Sequence, residues 1–70
     1  MNELIEKLEK ELEQLNGNIE KLDKFLSCEE NKEKVSRSGW QLFRIQFDVM
    51  KSYAQVLVAR ILDLSSSSTE

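Results

Sequence analysis

The sequence predicts an all-α fold, an antiparallel two-helix hairpin that assembles into a compact homo-oligomer. Three observations predict it. Two segments carry apolar residues at alternating spacings of 4 and 3, with a polar stretch between them that lacks this period. The chain has no proline and only 2 glycines, so few residues punctuate either segment. The second segment is also apolar over more of its circumference than one neighbouring helix covers.

Helix one is expected over about residues 2–27. Leu8, Leu12, Leu15, Ile19, Leu22 and Leu26 are spaced 4, 3, 4, 3, 4, the heptad seam that keeps one narrow stripe against a partner helix. The remaining positions are mostly Glu, Lys, Gln and Asn. Glu3–Lys7, Glu6–Lys10 and Glu20–Lys24 are i,i+4 pairs in the favourable order. Gly17, flanked by Asn16 and Asn18, is the weak point of this helix. It is a tolerated surface glycine, a kink, or a place of close backbone approach. Residues 28–37 are polar and read as a connector with a loose helical turn; a single helix running through them is the alternative.

Helix two is expected over about residues 38–64. Ser38-Gly39-Trp40-Gln41 fits a capping box, in which the serine accepts from a backbone N–H and Gln41 reaches back. One apolar stripe comprises Phe43, Phe47, Met50, Ala54, Leu57, Ile61 and Leu64; a second comprises Leu42, Ile45, Val49, Tyr53 and Val56. A surface helix needs only a stripe of about 100°. A hairpin satisfies the first stripe and leaves the second open, and a symmetric homo-oligomer is the default way to cover it. Ile45, Val49, Tyr53 and Val56 are therefore the candidate oligomer interface. The tail at 65–70, four serines, a threonine and a glutamate, is expected to be disordered.

Size points the same way. A chain of 70 residues is one domain at most, and chains this short lean on disulfides, metals or oligomerisation. With 1 cysteine and no histidine, neither an intrachain disulfide nor a four-ligand zinc site can form. Oligomerisation remains. The lone thiol suits a reducing compartment. No basic n-region with an apolar core follows Met1, and no run approaches the ~20 apolar residues of a membrane span. A cytoplasmic protein, with no membrane partner, is expected.

The net charge is −3. Residues 1–27 hold seven acids and four lysines, whereas residues 28–70 hold six acids and six bases. No segment carries the basic face that DNA or RNA polymers require. Without histidine there is no Ser-His or Cys-His pair, and no Gly-rich phosphate loop occurs. No catalytic residue, metal ligand or cofactor site is expected, and the protein reads as a non-enzyme.

A few residues stand apart. Arg60 lies in the apolar stretch Val56-Leu57-Val58-Ala59-Arg60-Ile61-Leu62. It either complements the helix dipole or contacts an anion, with symmetry bringing several copies to an axis where guanidinium groups grip phosphates. Tyr53 lies on the second stripe, and its hydroxyl needs a partner if covered. Trp40 in the first turn of helix two is a core residue or a stacking platform. Ser65 can hydrogen-bond at the helix end. Cys28 reads as a small incidental residue rather than a nucleophile.

Two stretches carry a resemblance. Ile19-Glu20-Lys21-Leu22-Asp23-Lys24-Phe25-Leu26 has the pattern I-x-K-L-x-x-F-L. Residues 46–61 read Q-x-x-x-M-x-x-Y-x-x-x-L-x-x-R-I, from Gln46 through Met50, Tyr53, Leu57 and Arg60 to Ile61. In order and separation they resemble the phage anti-CBASS sponges, short proteins that sequester cyclic oligonucleotide messengers of bacterial immunity. The resemblance spans about residues 8–62. It implies a helical hexamer without enzymatic activity that binds cyclic dinucleotides and cyclic tri-adenylate. Carried onto this chain, Arg60 matches the arginine that meets cyclic trinucleotides near a three-fold axis. The lysine of the dinucleotide pocket falls shortly before the K-L pair, where this chain has Asn18, with Lys21 close by. The stacking tyrosine expected in the first residues is absent; Glu3, Leu4 and Ile5 stand there. The candidate ligand contacts are thus Arg60, Lys21, Asn18, Tyr53 and Ser65. A sponge needs tight binding and no chemistry, and a rigid cyclic ligand loses little entropy on capture. The alternative is a helical protein–protein interaction module that docks a host partner on the second stripe.

Overall fold

The computed structural model describes residues 2–67, with side chains from 3 to 66. These form three helices: α1 (Asn2–Ser27), α2 (Glu29–Lys34) and α3 (Arg37–Ser67). At ~1.5 Å per residue, α1 and α3 would span about 85 Å laid end to end. The molecule measures 54 × 15 × 14 Å, so the two lie side by side. Their contacts run in opposite order. Phe25, late in α1, meets Trp40 and Phe43, early in α3, with ring centroids 5.9 and 5.3 Å apart. Tyr53, farther along α3, donates its hydroxyl hydrogen to Glu11, early in α1.

The two seams read from the sequence are the surfaces that meet. Leu57 is fully buried and Leu8 nearly so, while the other seam residues of both helices are half-buried. Among the described residues no other side chain reaches the buried class. The core is therefore thin, one row of leucines and phenylalanines between two cylinders.

The junctions depart from expectation. Cys28 takes an extended backbone (φ −94°, ψ 111°), which ends α1. The carbonyl of Phe25, left without a helical donor, accepts from the Cys28 N–H at 3.3 Å and from Asn31 Nδ2 at 3.0 Å. The connector expected over 28–37 holds a true helix at Glu29–Lys34. Apolar periodicity could not reveal it, because it buries no residue. Glu29 and Glu30 occupy its first turn and Lys32 and Lys34 its last, the order that suits a helix dipole, although Glu33 stands between the lysines.

The cap of α3 also lies elsewhere. Ser36, not Ser38, accepts the Gly39 N–H on its hydroxyl oxygen at 3.0 Å, and the Ser36 carbonyl accepts the Trp40 N–H at 2.9 Å. That is N-cap geometry two residues upstream of the expected capping box. A Cβ at position 39 would sit 3.0 Å from the Ser36 hydroxyl oxygen, so glycine leaves room for the cap. At its far end α3 continues through Ser67, beyond the boundary expected at 64. The rest of the tail, 68–70, lies outside the described residues. Gly17 sits inside an uninterrupted α1, and a Cβ there would meet nothing within 4 Å. It is a surface glycine with neither kink nor close approach in the single chain. Of the expected i,i+4 pairs, Lys24–Glu20 closes to 3.6 Å.

The surface is large for the mass. It measures 5743 Å², against roughly 4,500 Å² for a compact monomer of this size. The radius of gyration is 15.9 Å, against about 11 Å. The excess includes the second stripe of α3: Leu42, Val49 and Ile45 are 65%, 61% and 58% exposed, and Tyr53 and Val56 are exposed as well.

Two substitutions test this account. Ser36→Ala should lower stability by about 1 kcal/mol in urea melts, and Ser38→Ala by less than about 0.5 kcal/mol. The opposite ranking would return the cap to Ser38. Gly17→Ala should raise stability by about 0.5–1 kcal/mol; a loss would mean that the site is closely approached in the assembled protein.

Candidate functional site

A groove of about 420 Å³ runs between α1 and α3. Asn18, Lys21, Leu22 and Phe25 line it from α1, and Phe43, Gln46 and Met50 from α3. The seam places Leu22, Phe25, Phe43 and Met50 half-buried between the helices, as an apolar floor. Asn18, Lys21 and Gln46 are exposed and form a polar rim. The rim supplies one cation and two amides, and each amide carries both donors and acceptors. This composition suits a planar, partly apolar ligand that bears an anion.

The groove gathers the two stretches singled out in the sequence. Lys21, Leu22 and Phe25 belong to I-x-K-L-x-x-F-L, and Gln46 and Met50 open the Q-x-x-x-M pattern. Residues of the two stretches that are 21 and more apart in sequence thus line one concavity through antiparallel packing. Asn18 and Lys21, expected as ligand contacts, are brought together there. Phe25, Phe43, Gln46 and Met50 were not among the expected contacts. The signal that could have found them was the pairing of the two seams in antiparallel register.

Arg60 is not in this groove. It is 14 residues beyond Gln46, about 21 Å along the helix. It is exposed, and because α3 runs to Ser67 it lies outside the last turn. The dipole effect is confined to the last turn, so the dipole reading of Arg60 loses its basis. Ser65 is exposed and more than one turn farther on. Within one chain, Arg60 and Ser65 are therefore separate from Asn18 and Lys21.

Tyr53 lies between these two places. It is 41% exposed, and its hydroxyl donates to the Glu11 carboxylate. The hydrogen bond to Glu11 pushes the phenol's pKa above its ordinary value; burial and the Glu11 charge push the same way, and the Arg60 charge opposes them. Ile45, Val49, Tyr53 and Val56 form a continuous exposed strip along α3. At 100° per residue, Arg60 falls within about 20° of the centre of that strip. Trp40 is half-buried; it packs on Phe25 and also lines a second hollow at the α2–α3 corner. Cys28 is a half-buried free thiol.

Among the described residues, no helix is long and apolar enough to cross a membrane. A small all-helical chain whose two signature stretches build a polar-rimmed, apolar-floored groove has the features of a binding protein. The Sequestin family model matches residues 2–63, and the chain belongs to that family, the phage anti-CBASS sponges whose motifs it resembles. The family is one of sequestering proteins rather than enzymes. No curated protein and no solved structure matches the chain.

The tyrosine is the only one in the chain, so its titration can be followed by tyrosinate absorbance. Its midpoint should lie above the ordinary value of about 10, and Glu11→Gln should bring it down. Because the folded-state pKa is raised, its contribution to stability is complete below about pH 10 and is lost as pH rises through the folded value. An unchanged midpoint in Glu11→Gln would break the assignment.

Proposed function

We propose that this chain sequesters cyclic oligonucleotide second messengers and so blocks CBASS signalling in the cytoplasm of the phage's bacterial host. The observation that carries the reading is the groove. The two stretches that resemble the sponges converge on it, and its chemistry suits a nucleotide. Lys21 meets a phosphate, Asn18 and Gln46 offer hydrogen bonds to base edges, and Phe25 and Phe43 lie beneath the base. No reaction is needed, since capture alone lowers the free messenger.

The protein acts as a homo-oligomer, a hexamer by resemblance to the family. The exposed strip of Ile45, Val49, Tyr53 and Val56 supports this, because a second copy is the simplest cover for it. Arg60 shares that face. Copies closing over the strip bring several Arg60 side chains, with Ser65 beyond them, toward a common axis. A cyclic trinucleotide with three phosphates matches such an axis, and guanidinium groups bind phosphates bidentately. Cyclic dinucleotides and cyclic tri-adenylate are the proposed ligands; cofactors, metals and nucleic-acid polymers have no part. The exposed strip also favours a second reading, a helical module that docks a host protein there.

Calorimetric titration against cyclic di- and trinucleotides, with mass by light scattering in the same buffer, tests the proposal. The expected result is an oligomer that binds at least one member of the panel. Arg60→Ala should weaken cyclic tri-adenylate binding at least tenfold while the mass stays unchanged. Val49→Asp should reduce the mass to that of one chain. A folded monomer that takes up no cyclic nucleotide would overturn the reading and leave the docking module.

A further inference from the structure

The corner between α2 and α3 holds a hollow of about 460 Å³, lined by Lys32, Arg37, Trp40, Gln41 and Arg44. We propose that this hollow is a further site for a nucleoside phosphate, separate from the groove and from Arg60, with Arg37 and Arg44 on the phosphate and Trp40 against the base. Its volume falls within the range of small-ligand pockets. Three of its five lining residues are cations, and none is an acid. Among the described residues the ion pairs within 4 Å are Lys24–Glu20 and Lys51–Asp48, so all three cations are available to an anion. The acids of α2, Glu29, Glu30 and Glu33, line a different hollow, with Lys32 shared between the two.

The geometry follows from one helical face. Arg37, Trp40, Gln41 and Arg44 stand at i, i+3, i+4 and i+7, so they line up over two turns. The two arginines are about 10 Å apart along the axis, and Trp40 lies between them along the helix. Trp40 is anchored on Phe25 at 5.9 Å between ring centroids and is half-buried. An anchored ring presents a stacking surface at little entropic cost, and stacking on it tolerates any base. Gln41 adds an amide for a base edge or the sugar.

The site is independent of the groove and of any assembly through the strip. At 100° per residue, its α3 residues centre about 130° around the helix from Leu42, Ile45, Val49, Tyr53 and Val56. Copies that close over the strip leave this hollow open.

The chain has 1 tryptophan, so fluorescence of Trp40 reports on this site, and Lys21→Ala separates it from the groove that Phe25 shares. Adenosine diphosphate is the probe, with excitation beyond adenine absorption and ionic strength held constant by added salt. The expected result is saturable quenching that weakens at least tenfold in Arg37→Ala/Arg44→Ala and is unchanged in Lys21→Ala, which alters only the groove. Circular dichroism establishes that each variant keeps its helix content, and Arg44→Lys, which keeps the charge, should retain part of the binding. Absence of saturable quenching, or equal quenching in the double variant, would overturn the proposal. Adenosine binding as tightly as the diphosphate would remove the phosphate contact. Pyrophosphate displacing the diphosphate at equal concentration would remove the stacking contact. Because Lys21 and Arg60 play no part here, failure of this test leaves the groove reading untouched, and the reverse also holds.

Discussion

The whole arrangement turns on an imbalance between two helices. α1 offers one leucine seam among glutamates and lysines; α3 offers that much apolar surface twice. Packing α1 on α3 uses the first stripe and buries Leu57 and Leu8, yet leaves Leu42, Ile45 and Val49 each more than half exposed. At about 25 cal/mol per Å² of apolar surface removed from water, a strip of that kind is a substantial reservoir of association free energy. The thin core provides little else. A chain built this way has its stability tied to whatever covers α3, and with identical copies as the cover, stability rises with concentration.

The corner between the helices links this packing to chemistry. Extended backbone at Cys28 ends α1, Asn31 takes up the carbonyl that the break exposes, and Ser36 caps the start of α3. These local hydrogen bonds bring Phe25 against Trp40 and Phe43. That aromatic cluster has two working sides. Phe25 and Phe43 help to form the groove floor, and Trp40 helps to wall the corner hollow. Loss of the cap would therefore be felt at both places, although no capping residue lines either of them.

Much of this was legible in the sequence, and the failures are instructive. The two seams were readable because a 4-3 spacing has one physical meaning, a stripe on a helix. The second stripe was readable for the same reason. The cap was misplaced because Ser36 and Ser38 both precede the apolar pattern, and Gln41 three residues after Ser38 completed the better-known box. What decided it was the room that Gly39 leaves for the Ser36 hydroxyl, which a linear pattern does not weigh. The helix at Glu29–Lys34 was missed because it buries nothing, although its charge order pointed to a helix. Asn18 and Lys21 were named through a resemblance and line the groove; that Gln46 and Phe43 line it too needed the pairing of α1 with α3, which is tertiary information. The spacing of Arg37, Trp40, Gln41 and Arg44 was present in the sequence, but its meaning needed the corner to be closed.

Net charge bears on polymers and says less about small anions. A nucleic-acid polymer is held by a track of cations that displaces many counterions at once, and this chain, at −3, has no such track. A single phosphate senses only the charges within about a Debye length, ~8 Å at physiological salt. On that scale the sum over the chain is irrelevant and the distribution matters. Lys24 and Lys51 lie beside Glu20 and Asp48, whereas Lys21 stands on the groove rim and Arg37 and Arg44 share a hollow without an acid in its lining. The acids of α1 make the molecule net negative while leaving cations in the lining of these two places. An acidic chain arranged in this way repels extended nucleic acids and still presents cations where a compact phosphate fits.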